Sequence, residues 1–452
     1  MTDFIFEPAR QVPVVHECDV CVIGGSCTGV FAAVAAARLG ARVAIIEMMG
    51  FFGGTATAGK VCVWHTHLNT TYDRPIIGGL TMEMVERMLK KGTMIDKGPN
   101  PYQQYVFLPA EMSLELDRLI DAHKIRPFLH TRFVNPVMSD EGQVEAVIIE
   151  DKSGRRAIKA RLFIDASGEA DLAHRAGLET YKPQHIQPPT ACMVTQGMQA
   201  ILAQNPGINI RKTVFDPANP EALRPGFLWG DFLPAQDMYM IAGTRVHGAD
   251  CSDADQLTAA EMEGRRQIAK ILAILGRQKG GDKLVLQEIP AHIGVRQTRH
   301  VVCEHRLTNQ EVMYGQRFPD AIMNGSYVVD IHRQNDEGID YYFLDGTSLV
   351  ITANGEKIKG RWREDSGDMP TFYQLPYQTL VPKGAKNILV AGRCVDAEEG
   401  AFGAVRVMVN TTQMGQAAGV AAWLALNGNV TVNNVDPHKL RGTLSDQGAI
   451  II

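Results

Sequence analysis

The chain has 452 residues, a formal net charge of −5, 45% apolar and 21% charged residues, and 43 glycines. That length accommodates about two or three domains, and the composition is that of ordinary globular proteins. The acidic balance leaves no electrostatic footprint for nucleic acid, and no apolar run of about 18 residues marks a membrane span. No basic-then-apolar N-terminus marks a signal peptide. Eight cysteines in a chain of this size make no disulfide framework, so a cytoplasmic location is expected by default.

The first informative segment is Asp19-Val-Cys-Val-Ile-Gly-Gly-Ser-Cys-Thr-Gly29, followed by an alanine-rich stretch and Arg42-Val-Ala-Ile-Ile-Glu47. The pattern predicts a strand over 20–23, a tight turn, a helix, and a second strand ending in an acid. Gly29 lets the helix pack close to the strand. The helix N-terminus offers unpaired N–H groups and a positive dipole to a pyrophosphate. Glu47 stands 18 residues after Gly29, where an acid holds a ribose hydroxyl. Ser26 occupies the second fixed glycine position of the dinucleotide fingerprint, adding a small side chain where backbone meets phosphate. The unit reads as a dinucleotide-binding βαβ segment. Cys18 and Cys21 lie at a strand start with no second pair at zinc spacing, so they read as buried thiols. Cys27 sits in the turn, where it could face a cofactor, but reads as loop packing.

Phe51-Phe-Gly-Gly-Thr-Ala-Thr-Ala-Gly59 is a small-residue loop that lets backbone approach a large planar ligand. Helices are predicted at about 77–91 and 109–123, the second with Leu114, Leu116, Leu119 and Ile120 at helical spacing. Strands at 126–134, 142–150 and 155–163, separated by turn residues, read as an antiparallel meander. Leu162-Phe-Ile-Asp-Ala-Ser-Gly168 then runs into another glycine turn. From about 181 to 374 the alternation stops, leaving one good helix near 258–275 and strands near 285–305 and 326–353. Order returns at Ile388-Leu-Val-Ala-Gly-Arg-Cys394, and the small residues from Gly415 to Ala422 suit a helix packed tightly on sheet or ligand. The expected fold is α/β. A nucleotide-binding domain with a parallel sheet and β-meander spans 14–180 and 375–430, an α+β substrate domain is inserted at 181–374, and a tail covers 431–452.

The ordered set Val22-Ile-Gly-Gly-Ser-Cys-Thr-Gly29, Glu47, Gly53-Gly54, Asp165-Ala-Ser-Gly168, Leu389-Val-Ala-Gly-Arg393 and Met414-Gly-Gln-Ala-Ala-Gly419 resembles the FAD-dependent oxidoreductases of the glutathione-reductase-like superfamily. It more closely resembles the bacterial family related to fumarate reductase and succinate dehydrogenase flavoproteins. Ala291-His-Ile-Gly-Val-Arg-Gln-Thr-Arg299 and the stretch from Leu375-Pro-Tyr377 to Arg406 are similar to the same family. The resemblance implies a Rossmann-like FAD-binding domain with FAD as cofactor. It implies that Gly24, Gly25, Ser26 and Gly29 cradle the pyrophosphate, that Cys27 and Thr28 belong to the same cofactor-binding segment, and that Glu47 binds the adenosine ribose. Gly53, Gly54 and Thr55 would pass near pyrophosphate and flavin, Val134 beside adenine, and Ala166, Ser167 and Gly168 along the nucleotide channel. Arg393, Gly403 and a helix start at Gly415, Gln416 and Ala417 would approach the ribityl chain and isoalloxazine.

Hydride transfer at flavin N5 needs a partner acid or base. His292, Arg296, Arg299 and His300 fall within nine residues, and on a strand His292, Arg296 and His300 would share a face. Arginine clamps carboxylates and histidine shuttles protons near neutral pH. A surface ion-pair cluster is the alternative. His65 and His67 follow the glycine loop and could reach the flavin ring as base or covalent anchor. Arg406, one turn after Gly403, suits a substrate anion or a flavin phosphate. The expected catalytic residues are therefore Arg296, His292, His65 and Arg406, with His332, Tyr373 and Tyr377 weaker candidates. No metal site is expected. No second glycine fingerprint, iron–sulfur cysteine cluster or redox disulfide motif appears, so a diffusible donor or acceptor must exchange the electrons. The leading reading is an FAD-dependent oxidoreductase acting on a small organic substrate at a CH–OH, CH–CH or C=C bond. The Arg296/Arg299 pair favours a carboxylated substrate, with a sugar or polyol left open. The alternative is a flavin-binding protein with a structural, sensing or group-transfer role.

Overall fold

The computed structural model describes residues 4–224, 226–334, 338–352 and 355–452. The chain opens with β1 (Val14–Ile23), α1 (Cys27–Arg38) and β2 (Val43–Ile46). After α2 (Gly79–Lys90) and α3 (Pro109–Ala122) come β3 (Arg126–Phe128), β4 (Arg132–Met138), β5 (Val144–Asp151) and β6 (Gly154–Asp165). Next come β7 (Met193–Gln196), β8 (Trp229–Phe232), β9 (Met238–Ala242), α4 (Ala254–Gly276) and β10 (Val285–Glu288). A second group follows: β11 (Ala321–Gly325), β12 (Val329–His332), β13 (Ile339–Tyr342), β14 (Thr347–Ile351), β15 (Lys357–Arg361) and β16 (Tyr373–Pro376). The chain returns through β17 (Ile388–Val390), α5 (Glu399–Val405) and α6 (Met408–Gly428).

The fold is α/β, as expected. Its main sheet runs β3-β2-β1-β6-β5-β4, with β17 also paired to β6. Strand β6 organises it. One edge pairs in parallel with β1 up to Ile23↔Asp165. Its other edge takes antiparallel β5 near its start and parallel β17 at Phe163–Asp165. Strands β1, β2, β6 and β17 therefore end together, delivering Gly24, Glu47, Ala166 and Gly392 to one edge of the sheet. That is where open α/β sheets bind their ligands.

Three sequence expectations change. Residues 126–134 are not one strand: His130 takes a left-handed φ of 50°, so Arg126–Phe128 joins the parallel edge beside β2 and the meander starts at Arg132. In α3, Leu116, Leu119 and Ile120 are buried but Leu114 is 48% exposed. The 285–305 region forms strands, as expected, at β10 and His300–Val301, but the stretch 291–299 between them is irregular, so no strand carries His292 and Arg296. Of the 326–353 region, β12, β13 and β14 form, while 335–337 and 353 lie outside the described residues.

Helix α6 is buried along most of its length and crosses α1 at backbone distance. A Cβ on Gly415 would overlap the Thr28 carbonyl, and one on Gly419 the Ala32 carbonyl. Since α6 begins at Met408, residues 415–417 lie inside the helix and are not its start. Gln416 uses its Oε1 to accept the Leu80 N–H (2.9 Å), and Ala417 is in the core. Among the described residues no helix is long and apolar enough to cross a membrane. Gly415→Leu should force α1 and α6 apart at a cost of about 3 kcal/mol, read as a lower urea midpoint. Gly428→Ala, at the open end of α6, should shift it by less than about 0.5 kcal/mol. Equal midpoints for the two variants would refute this packing.

Candidate functional site

The first half of the site is a backbone cradle at the strand ends. Gly24 (φ 101°) and Gly53 (φ 117°) hold conformations that side chains disfavour. Ser26 does not: at φ −63° and ψ 173° it is extended, and its Oγ accepts the Gly29 N–H (3.5 Å) as N-cap of α1. Gly54 leaves room for it, since a Cβ there would stand 2.8 Å from Ser26 Cβ. Serine thus replaces glycine without strain. Cys27 is the first residue of α1 and not part of the turn. Its buried thiol faces the Gly53 carbonyl (3.7 Å), and burial pushes its pKa up to about 12.

Glu47 is 8% exposed, and its two oxygens accept the Gly25 and Met49 N–H groups, each at 2.7 Å. Burial raises its pKa, opposed by those N–H groups. Each oxygen keeps a second lone pair for a hydroxyl. Asp165 accepts from the Ser167 N–H (3.1 Å), the Ser167 hydroxyl (2.6 Å) and the Ala173 N–H (3.0 Å), shaping the turn at Ala166, Ser167 and Gly168. Arg393 leans over Gly168, and its buried Nη1 has no partner. Thr55 sits in the 3-10 turn Gly54–Ala56. Val134, on β4, gives its carbonyl to Arg175. A helix N-terminus, close-approach glycines, a buried acid and a spare guanidinium donor suit a dinucleotide.

The second half is a buried ionic cluster. Arg406, one turn past Gly403, donates to Asp330 Oδ2 (3.1 Å), and the Tyr327 hydroxyl donates to the same oxygen (2.9 Å). Gly403 makes this possible because α5 rests on the Asp330 backbone there. His332 Nε2 lies 3.3 Å from Asp330 Oδ1. The Tyr327 ring packs on His65 at 4.2 Å. Arg296 donates to Pro188 O (2.5 Å) and Thr190 Oγ1 (2.7 Å), and Arg245 donates to that hydroxyl at 3.1 Å. Burial alone would raise the Asp330 pKa, but His332, Arg406 and Arg296 hold it well below the carboxylate range. Burial, then Arg245 and Arg406, push the Arg296 pKa well down. Burial lowers His65 to about 3, and burial with Arg296 keeps His332 neutral. The irregular 291–299 stretch meets the glycine loop here, through the Ala291 N–H on Ala58 O (2.9 Å).

A family profile described as FAD dependent oxidoreductase matches residues 19–444. The chain belongs to this FAD-dependent family. It is a flavoenzyme, and FAD is its cofactor. Similar solved structures include a geranylgeranyl bacteriochlorophyll reductase-like protein from Thermoplasma acidophilum, at 11% identity and TM-score 0.47, covering 95% of this chain and 83% of that one. The myxobacterial chondrochloren halogenase CndH is similar at 13% identity and TM-score 0.45, covering 95% and 80%. Pseudomonas aeruginosa PqsL is similar at 12% identity and TM-score 0.41, covering 96% and 92%. No curated relative matches the chain.

In the flavoenzyme, the cluster gathers Arg296, His65 and Arg406 from the sequence candidates, and promotes His332. The strand face proposed for His292, Arg296 and His300 does not exist, because 291–299 is irregular. His292 bonds Ile293 O (2.8 Å), and its charged neighbours are Glu261, Arg393 and Arg132. His300 bonds Val395 O (2.8 Å) and stacks on Tyr181. Arg299 turns to Glu169 O (2.9 Å), so the Arg296/Arg299 pair does not form and Arg245 takes its place. His67 bonds the Tyr105 hydroxyl (2.7 Å), while Tyr373 and Tyr377 donate to Ala404 O and Val432 O. Arg245, Tyr327 and Asp330 escaped sequence reasoning. An acid within the apolar run Tyr327-Val-Val-Asp-Ile331 was the available signal.

Two outcomes are expected. Gly54→Ala should release FAD by crowding Ser26, and adding Ser26→Gly should restore part of the bound flavin, read as absorbance per protein. Stability should also fall on acidification. His65, at about 3, and His300, at about 4, stay neutral when folded. The unfolded chain protonates both below about pH 6.5. Stability is therefore full above that value and declines by up to about 1.4 kcal/mol per pH unit per histidine below it. A flat denaturation profile between about pH 6.5 and 4.5 would contradict their neutrality.

Proposed function

We propose that the flavoenzyme transfers a hydride between FAD and a small organic anion held against Arg296 and Arg406. The carrying observation is the buried convergence of Arg245, Arg296 and Arg406 around Asp330, beside the loop that follows Gly53 and Gly54. FAD, when bound, supplies the hydride acceptor or donor. Gly24, Gly25, Ser26, Cys27, Thr28 and Gly29 would hold its pyrophosphate, Glu47 its ribose, and Gly53, Gly54, Thr55, Ala166, Ser167, Gly168 and Arg393 the path to the ring. We keep 181–374 as the substrate-binding insert, and the relation to fumarate reductase flavoproteins rests on the ordered motifs.

Guanidiniums orient a carboxylate by paired N–H donors and hold it in place. Asp330 fixes Arg406 and orients the Tyr327 hydroxyl. His65, neutral with its Nδ1 buried and unpartnered, can take a proton. An anion beside it raises its pKa, which favours that role. Electrons would be exchanged with a diffusible partner. The eight free thiols support a reducing, cytoplasmic setting.

Anaerobic titration with a compound library tests this. The flavin absorbance should bleach, or return after reduction, with one class of carboxylated compounds. Arg296→Gln should lower kcat/KM at least about a hundredfold, or about 2.7 kcal/mol, with FAD content unchanged. A bound flavin indifferent to every compound in both directions would refute the reading.

A further inference from the structure

The cluster carries more positive charge than its own carboxylate balances. Among the described residues, Asp330 is the one carboxylate within ion-pair distance of Arg245, Arg296 or Arg406. It is already engaged by Arg406 and by the Tyr327 hydroxyl. The histidines facing the group add no charge: burial holds His65 at about 3 and His247 at about 4, and His332 is also kept neutral.

Arg245 and Arg296 meet instead on a neutral oxygen, the Thr190 hydroxyl. Two buried like charges on one hydroxyl are costly unless an anion joins them. The arrangement is nevertheless enforced. Gln267 bonds the Arg245 N–H (2.8 Å) and its carbonyl (2.9 Å), Thr244 O takes a second bond from Arg245 Nη1 (2.9 Å), and Pro188 O anchors Arg296. Arg245 Nη2 is buried with no partner. Arg245 also walls a cavity of about 300 Å³ whose other charged lining is Arg224, Lys270 and one carboxylate, Glu263, a size that suits a small ligand.

We infer that Arg245 and Arg296 form a subsite for a doubly negative group, with Arg245 the residue that selects it. The substrate is then an organic dianion, either a phosphomonoester or a compound with paired carboxylates. This deepens the proposed function and rests on it for the chemistry, but binding alone tests it.

The FAD-loaded protein is titrated with sodium acetate, succinate and inorganic phosphate at constant ionic strength, followed by flavin difference absorbance and melting temperature. Succinate or phosphate should bind at least tenfold tighter than acetate. Arg245→Gln should lose at least tenfold for the dianion and less than threefold for acetate, with Arg245→Lys retaining most of the preference. Tighter phosphate assigns the phosphomonoester, and tighter succinate the paired carboxylates. Equal binding of all three probes overturns the subsite. So does a uniform loss in Arg245→Gln, or a shift only in its flavin reduction potential, which would give the charge to the reduced cofactor. If Arg245→Gln fails to fold by circular dichroism, the wild-type series and Arg245→Lys decide. A dianion that binds while no compound bleaches the flavin supports the subsite and sinks hydride transfer alone. A monocarboxylate that bleaches it while dianions bind no tighter than acetate sinks the subsite alone.

Discussion

Backbone contact between α1 and α6 is the constraint on which the site depends. Gly415 and Gly419 bring α6 onto the Thr28 and Ala32 carbonyls, while β17 pairs with the end of β6. Residues more than two hundred apart in sequence are thereby locked into one nucleotide-binding unit. The packing also sets α5, which precedes α6 directly, so Gly403 can rest on the Asp330 backbone and Arg406 can reach its carboxylate. Loosening the helix pair would disturb cofactor cradle and ionic cluster together.

Electrostatics divides the labour between the two halves. The cradle uses neutral means: N–H groups at a helix start, close-approach glycines and a hydrogen-bonded acid. The cluster uses full charges under burial, where each is worth more than in water and costs more when unbalanced. Asp330 is held ionised there by His332, Arg406 and Arg296 against its own desolvation. It orders the cluster without neutralising it. On the proposed function, an anionic substrate would supply the remaining balance, and its charge would raise the pKa of a histidine that burial has lowered.

The cradle was largely legible because its parts are local. A strand, a glycine turn and a helix start within a dozen residues, and the same pattern recurs at Asp165–Gly168 and Leu389–Arg393. Even Ser26 only awaited a geometric explanation, which Gly54 provides from across the turn. The cluster was legible only in fragments. Arg296, Arg406 and His65 stood out as residue types near motifs, but their companions could not be paired from sequence. Period-two reasoning linked Arg296 to His292 and His300, but 291–299 is irregular and the strand that argument needs does not form. Arg245 stands after β9 and meets Arg296 only through Thr190, a contact no spacing announces.

By itself the sequence determined the α/β class, the βαβ entry, the motifs that resemble FAD enzymes, and most of the regular elements. These follow from hydrophobic period, turn chemistry and the steric needs of glycine, all of which act over a few residues. Only the tertiary structure decided that 415–419 serves helix packing within α6, that Arg299 turns away to Glu169 while Arg245 turns in, and that Asp330 joins Arg406, Tyr327 and His332. Those outcomes depend on long-range burial and on which charges share one low-dielectric space. Neither is encoded in any local window of the chain.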